Sequence, residues 1–239
     1  MFRIDLYFLR KTFTAASAAA FFSLNALADT AETWFRQLQD QPLAGSRITL
    51  RLDIAAPGSA NGLSVSQEGD RVTMRYPMMF NQIAEGWSWR PGADPELEDY
   101  YRYKFLPVQS VIEARGEYSA EDKIGEVQTM KVLWRYDYFL AFDNLYDFYP
   151  RKDDDDAGFS ASVPAELAAH TGVRATLRLS MPLTQESTTF WKATHANPVD
   201  FTLKKRYLTG DLESVTFFDL ANGKTLCDIP RGRAHCSVP

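Results

Sequence analysis

Residues 127–142 place Met130, Val132, Trp134, Tyr136, Tyr138, Leu140 and Phe142 at every second position, with Lys131, Arg135 and Asp137 between them. Side chains alternate across a strand, so an apolar period of two over this length specifies a strand with one buried face; a helix would repeat its apolar residues every three or four positions. Most strands stop near ten residues at the longest. A run this long therefore predicts a bend or bulge and makes this segment the spine of the fold.

The same period recurs along the chain. Ile48, Leu50, Leu52 and Ile54 alternate with Arg47, Thr49, Arg51 and Asp53. Leu63–Gln67 and Arg71–Met78 read as a hairpin turned at Glu68-Gly69-Asp70, with Pro77 ending its second arm. Tyr100–Phe105 and Val108–Tyr118 read as strands, although Ser110-Val-Ile-Glu113 is also compatible with the start of a short helix. Further strands are expected at Val173–Met181, Phe201–Tyr207, Glu213–Leu220 and Lys224–Ile229, the last two joined through a two-residue Asn222-Gly223 turn. Helical spacing occurs twice. Residues 30–41 carry Thr30 as N-cap and Trp34, Phe35 and Leu38 on one stripe, stopped by Pro42 and Gly45. Ser162–Gly172 offers Ser162 as N-cap, Pro164 in the first turn and Gly172 as C-terminal cap. The expected fold is mainly β: a single sandwich-like or strongly bent antiparallel sheet, with an N-terminal helix and one short inserted helix.

The N-terminus reads as an address. Arg3, Arg10 and Lys11 precede an Ala- and Phe-rich stretch, Thr12–Leu24, and Ala26-Leu27-Ala28 forms a small-x-small cleavage site before Asp29. Residues 1–28 thus read as a cleaved export signal, and 29–239 as a single mainly-β domain without an internal linker. Thirteen apolar residues fall short of the roughly 20 that a helix needs to cross a hydrocarbon core, so no transmembrane anchor is expected. Arg10-Lys11-Thr12-Phe13 also resembles a degenerate twin-arginine signal, lacking the second arginine, which leaves the export route open. The expected location is periplasmic or secreted, in a bacterium.

Export bears on the two cysteines. Cys227 and Cys236 stand nine residues apart, and in an oxidising compartment a lone close pair reads as a structural disulfide. The spacing lacks the C-x-x-C of exchange catalysts, and His235 alone does not complete a zinc set.

Charge excludes one class of partner. The chain carries −5, and removal of Arg3, Arg10, Lys11 and Asp5 with the signal takes the rest to about −7, with no basic block to neutralise phosphates. Nucleic acid is not an expected partner. Arg47-x-Thr-x-Arg51, Arg71-x-Thr-x-Arg75 and Arg174-x-Thr-x-Arg178 each leave two arginines and a threonine on one strand face. Such rows suit either an anionic ligand or an ordinary solvated sheet surface, and strand composition alone favours the second.

Catalytic motifs are weak. His170, His195 and His235 form no metal-binding pair at helical spacing, so no metal or cofactor is expected. Gly158-Phe-Ser160-Ala-Ser162 resembles a nucleophile elbow, but Ser162 stands where that motif has glycine and an acidic loop, not a strand, is expected before it. Asp153–Asp156 reads as a solvated acidic loop, since a calcium loop alternates its ligands. Carboxylates at Asp94, Glu96, Glu98 and Asp99 lie beside Trp87 and Trp89, an arrangement compatible with glycan hydrolysis. Trp87 and Trp89 stand in a Gly/Pro-rich loop and are the candidate ligand-binding residues. The leading expectation is a non-catalytic binding or accessory protein for a macromolecular envelope partner or a toxin. The alternative is a glycan-binding protein or hydrolase acting on envelope polysaccharide.

Overall fold

The computed structural model describes residues 30–40, 48–56, 63–77, 79–80, 104–121, 124–148 and 158–239. The expected export signal lies outside them. The described elements are α1 (Ala31–Asp40), β1 (Thr49–Ala55), β2 (Ser64–Glu68), β3 (Arg71–Pro77), β4 (Met79–Phe80), β5 (Lys104–Glu121), β6 (Val127–Phe142), β7 (Gly158–Pro164), α2 (Ala165–Ala168), β8 (Thr171–Trp191), β9 (Val199–Asp219), β10 (Thr225–Pro230) and β11 (His235–Ser237). The fold is mostly β, in two sheets.

The larger sheet runs β1-β8-β9-β6-β5-β4, with β10 beside the second half of β9. The smaller runs β11-β7-β3-β2. The sheets are not purely antiparallel, as the alternating pattern suggested. β6 pairs parallel with β9 from Lys131↔Val199 to Ala141↔Thr209, and β11 pairs parallel with β7. Parallel neighbours require a long crossover, and the one between β6 and β9 carries β7 of the other sheet and then β8.

Two strands are longer than the alternation indicated. Phe201–Tyr207 and Glu213–Leu220 belong to one strand, β9, and β8 extends to Trp191. Gly210, between the two expected segments, is a close approach: a Cβ there would run into the carbonyl oxygen of Arg178 on β8. The expected helix over Ser162–Gly172 is reduced to one turn between two strands. Ser162 pairs with Thr73 in β7–β3 rather than capping a helix, and only Ala165–Ala168 is helical. The deciding pattern is Phe159, Ala161 and Val163 at period two, all fully buried. Ser110–Glu113 is strand within β5. Asn222-Gly223 sits in a longer turn: β9 ends at Asp219, whose carboxylate accepts from Ala221 N (2.9 Å) and Asn222 Nδ2 (2.6 Å), and Gly223 takes φ +71°.

The N-terminal helix begins at a Thr30 cap, whose Oγ1 accepts from Thr33 N at 3.3 Å. Its Ala31, Phe35 and Leu38 stripe is buried.

One core joins the sheets. Leu50, Leu52 and Ile54 of β1, Val173, Ala175 and Leu177 of β8, and Leu212, Val215 and Phe217 of β9 share it with Val72, Met74, Tyr76, Phe159, Ala161 and Val163 of the smaller sheet. Full burial of each such side chain is worth about 1.5–3 kcal/mol. Among the described residues, links that cross between the sheets include the Tyr76 hydroxyl, which donates to the carbonyl of Pro107, and a disulfide that joins Cys227 on β10 to Cys236 on β11, with Cα atoms 6.1 Å apart. The cysteine pair therefore ties one sheet to the other.

Candidate functional site

Trp87 and Trp89, with the neighbouring carboxylates Asp94, Glu96, Glu98 and Asp99, lie outside the described residues, as do Asp153–Asp156. The chemistry visible in the fold lies elsewhere.

Arg47 lies outside the described residues, and three of the other row arginines have partners within the fold. On the outer face of the large sheet, Arg174 binds Asp53 through two hydrogen bonds (2.5 and 3.2 Å) and lies 4.2 Å from the Phe218 ring centroid. Arg178 meets Asp211 at 3.0 Å and Glu213 at 3.7 Å. On the small sheet, Arg71 donates to Ser162 Oγ (2.9 Å), the Ser162 carbonyl (2.9 Å), Ser237 Oγ (3.0 Å) and the Val238 carbonyl (2.5 Å), fastening the C-terminal strand to β3 and β7. These arginines organise the sheet surface; their charge is committed to partners within the fold.

The same register that pairs β11 with β7 sets His235 opposite Ser160, and their Nδ1 and Oγ atoms lie 2.7 Å apart. Sequence distance concealed this pair. Acyl transfer also needs amide donors aimed at the developing oxyanion, often including the nucleophile's own N–H. Ser160 lies in mid-strand, and its N–H donates to the Ala234 carbonyl at 3.2 Å. That amide is spent on structure, and Ser160 lies in a strand rather than at the strand-to-helix turn of an elbow.

A denser constellation occupies the inner face of the large sheet where its strands run past the smaller one. The parallel register sets Tyr138 beside Arg206, Tyr136 beside Lys204 and Trp134 beside Thr202; β8 adds Glu186 opposite Arg206. Glu186 accepts from Lys204 Nζ at 2.8 Å and Arg206 Nε at 2.6 Å, and Arg206 Nη1 donates to the Tyr138 hydroxyl at 2.9 Å. The Arg206 guanidinium lies 4.4 Å from the Tyr136 ring centroid and 5.0 Å from that of Phe35 on α1. On β5, a register shift between Ala114 and Gly116 displaces Arg115, and bulges commonly re-aim a side chain in this way. Arg115 donates to the Tyr136 hydroxyl at 2.6 Å, pairs with Glu113 at 2.5 Å, and sits over Trp134 at 4.7 Å; Lys204 approaches the same ring at 5.3 Å.

Electrostatics follow from this geometry. Partial burial opposes the charge on Glu186, but the hydrogen bonds from Lys204 and Arg206 outweigh it and hold its carboxyl below the ordinary range. Burial pushes the Tyr138 hydroxyl upward, partly offset by Arg206. The result is a polar network of three cations and two carboxylates bedded on aromatic rings. Phe190, 56% exposed, flanks it on β8, and Tyr118 flanks it on β5, donating to Asp200 Oδ2 at 2.9 Å.

No family model, curated protein or solved structure matches this chain. The site has to be read from its own chemistry. Among the described residues, no helix is long and apolar enough to cross a membrane, and no three His, Cys, Asp or Glu side chains gather as metal ligands.

Sequence reasoning assigned Trp134, Tyr136 and Tyr138 to the core, which holds for Tyr136 and Tyr138, while Trp134 is only partly buried. It missed Lys204, Arg206, Glu186 and Arg115. The available signal was the Lys-Lys-Arg run at 204–206 next to aromatic β6, which becomes informative only once the parallel pairing is known.

Proposed function

We propose that the protein is a non-catalytic binding protein of the bacterial envelope, exported with loss of residues 1–28 and folded over residues 29–239 as one sandwich-like domain. It holds a macromolecular partner, either an envelope assembly component or a toxin, on the open inner face of its large sheet. The observation that carries this reading is how the rings are used. A sugar platform needs an aromatic face free for stacking, whereas Trp134 carries both Arg115 and Lys204, and Tyr136 carries Arg206. Arginine, tyrosine and tryptophan held rigid, with an exposed aromatic at the rim, is the composition of a protein-binding hot spot. The glycan alternative rests on Trp87 and Trp89.

Affinity capture from envelope extract separates the two. A partner protein retained by the wild type and lost with the pair Arg115→Ala and Phe190→Ala, while Trp87→Ala with Trp89→Ala retains it, supports the open face. Retention of peptidoglycan fragments without protein, abolished by the Trp87/Trp89 pair, replaces this reading with the glycan one.

A further inference from the structure

The two long edges of the large sheet are built differently. β5, on one side, is interrupted by register shifts at Pro107/Gln109 and Ala114/Gly116, and it carries Glu113, Arg115, Glu117 and Glu121 along its outer half. Bulges and charges are the devices that keep an edge strand from pairing with another chain. The opposite edge is β8. β1 covers its first half, antiparallel, from Val173 to Arg178, and the last described contact of that cover is Leu179 N donating to the Ile48 carbonyl at 2.8 Å. Beyond it, among the described residues, no strand pairs with the outer edge from Glu186 to Trp191. That stretch reads Glu-Ser-Thr-Thr-Phe-Trp: one charge, no proline, β-branched and aromatic residues, and an unbroken register with β9 from Thr184 to Trp191. Its last two side chains, Phe190 and Trp191, are 56% and 48% exposed, one on each face of the sheet.

We propose that this open edge is the site at which a second copy of the chain adds its own β8, antiparallel, about a two-fold axis at Thr189. The charges choose both partner and register. With Thr189 opposite the partner's Thr189, Glu186 stands opposite the partner's Lys192, Ser187 opposite the partner's Trp191, and Thr188 opposite the partner's Phe190. Each end of the ladder then sets Lys192 beside the Glu186 carboxylate, which also accepts from Lys204 and Arg206 of its own chain, and each exposed aromatic lies against a small hydroxyl residue; cross-strand pairs of these kinds are favourable. An isologous contact repeats every such pair twice, so a sequence complementary to itself about one residue is suited to its own copy. The outward backbone groups of alternate residues gain partners, as β1 already supplies them for the first half of the strand. This edge shares Glu186 and Phe190 with the inner face, but the assignment rests on the register of β8 and not on what that face binds.

The test is the mass of the full chain in solution between about 1 and 100 μM, the span over which a weak to moderate dimer would titrate. The expected result is a dimer whose Ser187–Trp191 amides exchange hydrogen more slowly as concentration rises. Thr189→Lys sets two like charges opposite each other on the axis and is expected to give a monomer with unchanged circular dichroism. Lys192→Glu, which opposes two carboxylates at each end, is expected to weaken the dimer about tenfold. A monomer throughout the range overturns the proposal, as does a dimer indifferent to both substitutions. Amides at 187–191 that become protected only when envelope extract is added would assign the edge to a different protein and equally overturn it.

Discussion

The two halves of the β8–β9 hairpin present the same face to different surroundings. In the half formed by Thr171–Leu179 and Gly210–Asp219, inward side chains such as Ala175, Leu177, Leu212, Val215 and Phe217 are fully buried against the smaller sheet. In the half formed by Thr184–Trp191 and Val199–Leu208, the same inward positions become Glu186, Thr188, Lys204 and Arg206. Strand geometry is continuous, and what changes is the cover. Charge is tolerated only where water still reaches it or where each group has a partner, and the second half satisfies both conditions. One half supplies stability and leaves the other free to carry polar chemistry.

Paired truncations provide the strongest way to break that comparison. Phe217→Ala is expected to cost about 3–5 kcal/mol, as for other large core aromatics, whereas Phe190→Ala on the same hairpin should fall within about 0.5 kcal/mol of wild type; denaturant titration measures both. Equal losses would mean that the open half is packed as tightly as the closed one. A smaller effect tests what keeps the closed half closed. Cys227→Ser removes the link between β10 and β11 and is expected to lower stability by about 2.5–3 kcal/mol on the chain-entropy account of so short a loop, with reduction of the wild type giving a similar loss. The smallest effect belongs to the network. The folded-state pKa of Glu186 is lowered, so its contribution is present above the ordinary carboxyl pKa and disappears as pH falls through the lowered value. Glu186→Gln should therefore flatten the decline in denaturation midpoint between about pH 6 and pH 3, and a slope identical to wild type would show that Lys204 and Arg206 do not stabilise the carboxylate.

Much of the scaffold was legible because period two is a local signal. β6 occupies the segment expected of it, the turn at Gly69-Asp70 joins β2 to β3, and Thr30 caps α1. One misreading came from punctuation by Pro and Gly. Pro164 and Gly172 suggested a helix from Ser162 where Phe159, Ala161 and Val163 define a strand that runs to Pro164. The site was harder to read. Its aromatic half lies on β6 and its charged half on β9 and β8, and no pattern within either segment discloses that Tyr136 stands beside Lys204.

The smaller sheet has a consequence for how the chain reaches this state. Its strands come from residues 64–77, 158–164 and 235–237, interleaved with the strands of the larger sheet. β7 cannot complete its neighbours until β8, β9 and β10 have been synthesised and β11 has followed them. Contacts so distant along the chain make for slow folding, because loop closure must precede most of the stabilising contacts. Until β11 docks, the outer edge of β7 stays open to other chains. The order in which the strands become available thus sets an interval during which a chaperone or a like chain can compete for the same backbone groups.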